Sequence, residues 1–317
     1  MLWQPVLPGR PRMPPTISAR FDCYSWPAVA ARSRTRSVCP IVFDYHVHTE
    51  FSVDCTAPMR DSCRAALEAG ITEIAFTDHI DHQPDDPGTG YYRAEDYFAS
   101  LQDVRAEFDG QLAILAGAEI DFHTDIEPQV SQFVESYGDR YDFVIGSVHY
   151  GANGSLIYPD YYEHRSPGDV FKDYFEQVQA AVETRWFDTI GHLDIPKRYL
   201  PSRLRNYDPY AYLRHLQPVF SALFQNEVAF EINTSGIRQA PKTSMPGPAI
   251  VRWYVEAGGT RITTGTDSHG PRTVGAGLRE TLEMLKLCGI SSVLSFRART
   301  GSPAQIDNLL AVRTGYP

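Results

Sequence analysis

Phe43-Asp44-Tyr45-His46-Val47-His48-Thr49 is a short apolar run that ends in two imidazoles one residue apart. Along a strand, residues i and i+2 face the same side, so His46 and His48 project together, about 7 Å apart along the chain. Similar endings recur downstream in Ala75-Phe76-Thr77-Asp78-His79, Val144-Ile145-Gly146-Ser147-Val148-His149, Thr189-Ile190-Gly191-His192-Leu193-Asp194 and Thr263-Thr264-Gly265-Thr266-Asp267-Ser268-His269. Leu115-Ala116-Gly117-Ala118-Glu119-Ile120-Asp121 ends in carboxylates instead. Six of the ten histidines therefore stand at the ends of apolar runs. A single histidine so placed is commonly a core or surface residue. A series of them, joined by acids, converges where parallel strands end together, at the C-terminal mouth of a β/α barrel.

Working outward, the spacing predicts strands over 42–48, 73–77, 112–119, 143–149, 189–193, 228–233 and 261–265. Between them it predicts helices over 57–70, 95–108, 128–137, 167–184, 209–225, 248–257 and 277–287. Several helices start at or near proline, which the first turn tolerates. Repeated β/α units imply a parallel sheet, and seven of them at even spacing favour closure into a barrel over an open sheet.

At 317 residues, 43% hydrophobic and 21% charged, the chain has the makings of one large globular α/β domain. The net charge of −10 argues against long nucleic acid as a partner. Residues 1–40 differ: they hold six arginines and one acid, Asp22, and leave the rest of the chain at −15. They read as a basic, disordered extension with Met13 and Val38 as alternative starts, and the barrel domain as 41–317. Five cysteines without a CxxC pair suggest a reducing, cytoplasmic setting. The apolar runs are too short for a membrane span.

The strand-end residues suit metal chemistry. Neutral imidazole is a ligand for zinc, iron and related ions, and a carboxylate can bridge two cations. Glu119 is the better bridging candidate, with Asp121 as a supporting anchor. Asp78 and His79 are adjacent, so one reaches the metals and the other supports the strand end. Asp267 and His269 are i and i+2 and can both point inward. His82 lies in a loop past His79, lining the substrate entry or simply solvated. Arg198 and Arg238 follow strand ends, where a guanidinium fork can grip phosphate; a surface ion pair is the equal alternative for either. There is no GxSxG elbow and no GxxxxGK[ST] loop.

Taken in order, Asp44-Tyr45-His46-Val47-His48-Thr49, Thr77-Asp78-His79, Gly117-Ala118-Glu119, Gly146-Ser147-Val148-His149, Gly191-His192-Leu193-Asp194 and Asp267-Ser268-His269 resemble the motifs of the PHP (polymerase and histidinol phosphatase) phosphoesterases. Phe76-Thr77-Asp78-His79-Ile80-Asp81, the Arg198 that follows His192-Leu193-Asp194, and Glu231-Ile232-Asn233-Thr234-Ser235-Gly236 are most similar to the histidinol-phosphatase branch. The resemblance implies a distorted (β/α)7 barrel with three divalent ions, Zn, Mn or Fe. It implies His46, His48, Glu119 and Asp267 around the first ion, Glu119, His149 and His192 around the second, and Asp54, His79 and His269 around the third. Asp54 departs from members with a histidine there, which makes that site richer in oxygen. Resemblance also puts Arg198 and Arg238 at the substrate phosphate. Tyr150-Gly151-Ala152-Asn153-Gly154-Ser155-Leu156-Ile157-Tyr158 departs from the family's aromatic, glycine-rich run after the His149 motif, so the pocket for the substrate's organic part differs there.

The expected activity is hydrolysis of a small phosphate monoester, L-histidinol phosphate above others, with Glu119 and Asp267 in the metal machinery. His269 or a water serves as proton donor to the leaving group. The alternatives are a PHP phosphoesterase for nucleotides or short oligonucleotides, an amidohydrolase, and a non-catalytic metal-stabilised module. The amidohydrolase reading is weakened because no lysine ends a predicted strand.

Overall fold

A computed structural model describes residues 43–202 and 208–311. The basic extension read over residues 1–40 lies outside the described residues. In chain order the elements are β1 (Phe43–Val47), α1 (Met59–Glu68), β2 (Glu73–Phe76), β3 (His79–Ile80), α2 (Ala94–Glu107), β4 (Ala113–Asp121), α3 (Glu127–Tyr137), β5 (Phe143–Ser147) and α4 (Pro167–Thr184). There follow β6 (Thr189–Ile190), α5 (Leu213–Asn226), β7 (Ala229–Asn233), α6 (Ser235–Arg238), α7 (Pro248–Glu256), β8 (Ile262–Gly265), α8 (Leu278–Leu287), β9 (Ser292–Arg297), β10 (Thr300–Gln305) and α9 (Ile306–Ala311).

Seven strands pair in parallel in the order β1-β2-β4-β5-β6-β7-β8, and the two-residue β3 adds to the top of β4. The predicted alternation of strand and helix is therefore the observed one. β1 also lies against β8, and a parallel bridge between Val47 and Ser268 closes the ring near its mouth. At that seam His48 N–H donates to the Ser268 carbonyl (2.9 Å), and Ser268 N–H to the His46 carbonyl (3.2 Å). Below the bridge, Asp44 accepts from Thr266 N–H (2.9 Å), Thr266 Oγ1 (2.6 Å) and Gly275 N–H (3.0 Å). A buried carboxylate thus takes the place of missing ladder bonds.

The helices cover the sheet with their apolar faces. In α4, Val170, Phe171, Tyr174, Phe175, Val178, Ala181 and Val182 recur at helical spacing and are buried. Its start is fixed by Pro167 and by Ser166, whose hydroxyl accepts from Asp169 N–H (3.2 Å). The predicted 209–225 helix divides: residues 209–212 form a 3₁₀ turn before α5.

One element was not expected. The antiparallel hairpin β9–β10 seals the barrel end opposite the histidines. Phe296 packs on Phe143 (ring centroids 4.9 Å apart), which packs on Tyr45 (5.0 Å). The hairpin turns through Ala298 and Arg299 at φ 45° and 63°, left-handed geometry with no glycine or asparagine to advertise it. Arg299 holds that turn in place: its N–H donates to the Asp142 carbonyl (2.9 Å), its Nε to Asp188 (2.5 Å) and its Nη2 to the Trp186 carbonyl (2.6 Å). Among the described residues no helix is long and apolar enough to cross a membrane.

Candidate metal centre

All nine sequence-predicted ligands meet at the mouth. Glu119, at the end of β4 and almost fully buried, is the hub. Its Oε2 lies 3.1 Å from His46 Nε2, 3.4 Å from His48 Nε2 and 3.1 Å from His79 Nδ1. Its Oε1 lies 3.0 Å from His192 Nε2 and 3.9 Å from His149 Nε2, and accepts from Ser147 Oγ (2.5 Å). Asp267 Oδ1 is 3.5 Å from His48 Nε2. Asp54 Oδ2 is 2.9 Å from His269 Nε2 and 3.8 Å from His79 Nε2. Four groups each gather ligand atoms within 4.8 Å: His46, His48 and Asp267; Glu119, His149 and His192; His48, Asp54, His79 and His269; and the acids Asp81, Asp86 and Asp121.

The orientation of the imidazoles is informative. His46 Nδ1 faces Glu231 Oε1 (2.7 Å) and His149 Nδ1 faces Asp121 Oδ1 (2.5 Å). His48 Nδ1 faces Ser52 Oγ (2.9 Å), whose own proton goes to Asp78 (2.8 Å). Each acceptor fixes the proton on Nδ1 and leaves the Nε2 lone pair aimed at the centre, as a metal-ligating histidine requires. There His46 Nε2, His48 Nε2, His79 Nδ1 and Glu119 Oε2 are buried with no hydrogen-bond partner. His149 Nε2 and His192 Nε2 sit 3.1 Å apart. Buried acceptors pointed at one another are costly unless a cation lies between them. The donor set, nitrogen and carboxylate oxygen, suits divalent zinc, manganese or iron.

The electrostatics agree. Burial opposes the charge on Glu119, but the His46 and His79 imidazoles and hydrogen bonds from His192 and His46 hold its carboxyl well below the usual range. Burial likewise opposes Asp267, yet His48, His46 and Arg198 hold it well below. Burial opposes the charge on His149, but Asp121, joined by Glu119 and Tyr199, pushes it up to about 10. His48 drops to about 3 through burial and the neighbouring His269 and His79. The acids thus stay ionised and some imidazoles hold protons in their place; cations can replace those protons. Two ligand candidates also have left-handed backbone, Asp267 at φ 51° and His192 at φ 22°, the kind of strain that gathers at functional sites.

Of the acids that support the ligands, Glu231 is the one to which the sequence assigns no role. Glu231 holds His46, accepts from His192 N–H (3.0 Å) and accepts from Asn233 Nδ2 (3.1 Å). Its signal was available: Glu231 and Asn233 stand at i and i+2 on β7, like the pairs on β1 and β4. Asp78 proves to be the supporting member of its pair, taking Thr49 N–H (2.6 Å), Thr49 Oγ1 (2.8 Å) and Ser52 Oγ (2.8 Å). Losing such a support commonly weakens metal binding about 10–100-fold. Glu231→Ala is expected to do so here, read by competition with a metal-sensitive dye, while Glu231→Asp retains part of the affinity.

The three predicted substrate residues separate. Arg198 lines the cavity with Asp54, His149, His192 and Asp267. Its Nη2 donates to Ser235 Oγ (2.6 Å) and Asp267 Oδ2 (3.0 Å), and its buried Nε is unpartnered. Arg238 does not line that cavity. Its guanidinium donates to the Thr266 carbonyl (2.7 Å) and to Thr234 Oγ1 (3.4 Å), holding the backbone next to Asp267. His82 is half-buried with its ring 5.7 Å from that of Phe133, and it does not line the cavity either.

The PHP domain model matches residues 44–235. The chain is 32% identical over 273 residues to the probable histidinol-phosphatase of Deinococcus radiodurans, covering 82% of this chain and 98% of that one. It is 28% identical over 258 residues to the histidinol-phosphatase of Lactococcus lactis, covering 80% and 93%. Its fold matches the crystal structure of histidinol phosphate phosphatase from Lactococcus lactis, determined with zinc, L-histidinol and phosphate. That match has a TM-score of 0.75 and 25% identity, and covers 83% of this chain and 99% of that one. The chain belongs to the PHP family of metal-dependent phosphoesterases. Within that family it falls in the histidinol-phosphatase branch.

Proposed function

We propose that the protein hydrolyses L-histidinol phosphate to L-histidinol and phosphate, a step of histidine biosynthesis, using three divalent ions. The observation that carries this reading is the convergence of nine nitrogen and carboxylate ligands at one barrel mouth, seven of them lining a single cavity with the half-buried Arg198. The likeness to a relative solved with L-histidinol and phosphate, over almost its whole length, supports the choice of substrate. His46, His48, Glu119 and Asp267 would hold one ion, Glu119, His149 and His192 the second, and Asp54, His79 and His269 the third. Such ions supply Lewis-acid neutralisation of the phosphoryl oxygens and make water nucleophilic near neutral pH.

The chain's own groups do the positioning. Glu119 spans two ligand groups with its two oxygens and so fixes their separation. Glu231, Asp121 and Ser52 set the imidazole tautomers. Arg198 offers donors to phosphoryl oxygens on the substrate and on the transition state, where in-line displacement by water breaks the phosphorus–oxygen bond to the alcohol. Arg238 serves that arginine and Asp267 indirectly, through the Thr266 backbone.

Charge-assisted hydrogen bonds contribute about 1.5–3 kcal/mol. Arg198→Ala is therefore expected to lower kcat/KM about 10–100-fold, largely through KM, with metal content unchanged. An unaltered KM removes Arg198 from the phosphate. The reading as a whole is tested by phosphate release from L-histidinol phosphate, a nucleoside monophosphate and an aryl phosphate, with Mn, Zn or Fe supplied. Preference for the nucleotide overturns the substrate assignment.

A further inference from the structure

The cavity is lined by unlike groups. One is the metal centre with Arg198. The rest of the lining carries the apolar side chains Val53, Leu156, Ile157, Tyr158, Ile195 and Tyr199, beside the acids Asp81, Asp86 and Asp121. Tyr158 and Tyr199 come from different segments and meet edge to face, ring centroids 5.3 Å apart at 84°. Tyr199 is half-buried and directly follows Arg198, with Arg198 Cζ 5.9 Å from its ring. Tyr158 is 48% exposed, and Val53, at 37%, shares the same rim. Large apolar side chains left to water at a cavity mouth serve no core, and their cost is offset when a ligand covers them.

The Tyr158 segment is held firmly. Tyr150 and Leu156 form an antiparallel bridge, and Ile157 N–H donates to the His149 carbonyl (2.9 Å). Gly151 N–H donates to the Ser155 carbonyl (2.9 Å), and Gln83 Nε2 to the Gly154 carbonyl (3.0 Å). Tyr158 is thus presented from a loop tied to a metal-ligand residue, at a defined place relative to the phosphate end. This is the stretch in which the sequence departs from the family pattern.

We infer that Tyr158 and Tyr199 form the subsite for the substrate's aromatic ring and set the preference for a ring-bearing phosphate monoester. The inference rests on the phosphatase reading of the cavity and names the residues that choose the organic group. A flat imidazole takes an edge or a face against the pair while Arg198 and the metal centre hold the phosphate.

The test uses the metal-loaded enzyme and two substrates, L-histidinol phosphate and L-alaninol phosphate, which differ only by the imidazole. Wild type is expected to prefer the first. Tyr158→Ala is expected to lower kcat/KM for histidinol phosphate about 5–10-fold, mainly through KM, and to leave alaninol phosphate unchanged. Tyr158→Phe keeps the ring and is expected to match wild type. An equal loss on both substrates, no loss on either, or a Phe variant that behaves like Ala overturns the inference while the phosphatase reading stands. Wild-type enzyme inert on both substrates removes the phosphatase reading and this inference with it.

Discussion

Glu119→Gln is expected to abolish turnover and to lower metal content in the same step. Both carboxylate oxygens are in use: Oε2 faces His46, His48 and His79, and Oε1 faces His192 and Ser147. Gln keeps the volume and one acceptor, so the barrel should fold. It loses the negative charge and replaces one oxygen with an N–H₂ that repels a cation. Two of the three proposed ion sites then lose a shared anionic ligand. The ions are worth several kcal/mol of transition-state stabilisation, and each 1.4 kcal/mol is about tenfold in rate. kcat/KM should fall by about 10³-fold or more. Elemental analysis should find the variant short of metal, and a chelator should shift its melting point less than it shifts that of wild type. Full metal content with lost turnover would move Glu119 out of the ligand role, and retained turnover would remove it from the machinery.

How much of this site could be read from the chain follows from what strand geometry transmits. Two-residue spacing at a strand end puts side chains on one side, so His46 with His48, and Asp267 with His269, were legible as pairs. Asp121 beside Glu119 was legible as an anchor. Seven β/α units were legible because each strand is buried and each helix amphipathic. The losses have separate causes. Glu231 was quoted within a motif without a role because acid–imidazole pairing across β7 and β1 is a contact between residues 185 positions apart. For Arg238, neither a place beyond a strand end nor the family resemblance says whether its guanidinium meets a cavity or a backbone carbonyl. His82 turned to Phe133 for the same reason. The β9–β10 hairpin escaped because Ala298 and Arg299 take positive φ without a turn residue, and the contacts that hold them there are tertiary.

Asp44→Ala is expected to be among the most destabilising single changes in the protein and to weaken metal binding without touching a ligand. Asp44 is fully buried at the β1–β8 seam, where the closing ladder is reduced to the Val47–Ser268 bridge. Its carboxylate accepts three backbone N–H groups, of Thr266, Gly275 and, at 3.4 Å, His46, and the Thr266 hydroxyl. Burial raises its pKa, but those four donors oppose the rise, Thr266 Oγ1 most strongly and then Gly275 N–H. Alanine leaves the backbone donors buried without this acceptor, and the Thr266 hydroxyl with only the His46 carbonyl at 3.4 Å, at about 1–3 kcal/mol for each orphaned donor and a total of roughly 3–6 kcal/mol after partial relaxation. For a domain of this size that is on the order of 10 °C in melting temperature. The effect reaches the metals because Thr266 precedes Asp267, whose left-handed backbone is fixed by its neighbours. Once the seam loosens, Asp267 no longer needs to hold that conformation, and the His46–His48–Asp267 group spreads. Asp44→Asn keeps one acceptor oxygen but turns an N–H₂ toward the remaining donors, so it should recover only part of the loss. Thermal melts of the metal-free proteins isolate the seam from the ions. If Asp44→Ala melts within about 2 °C of wild type there, the carboxylate does not close the barrel.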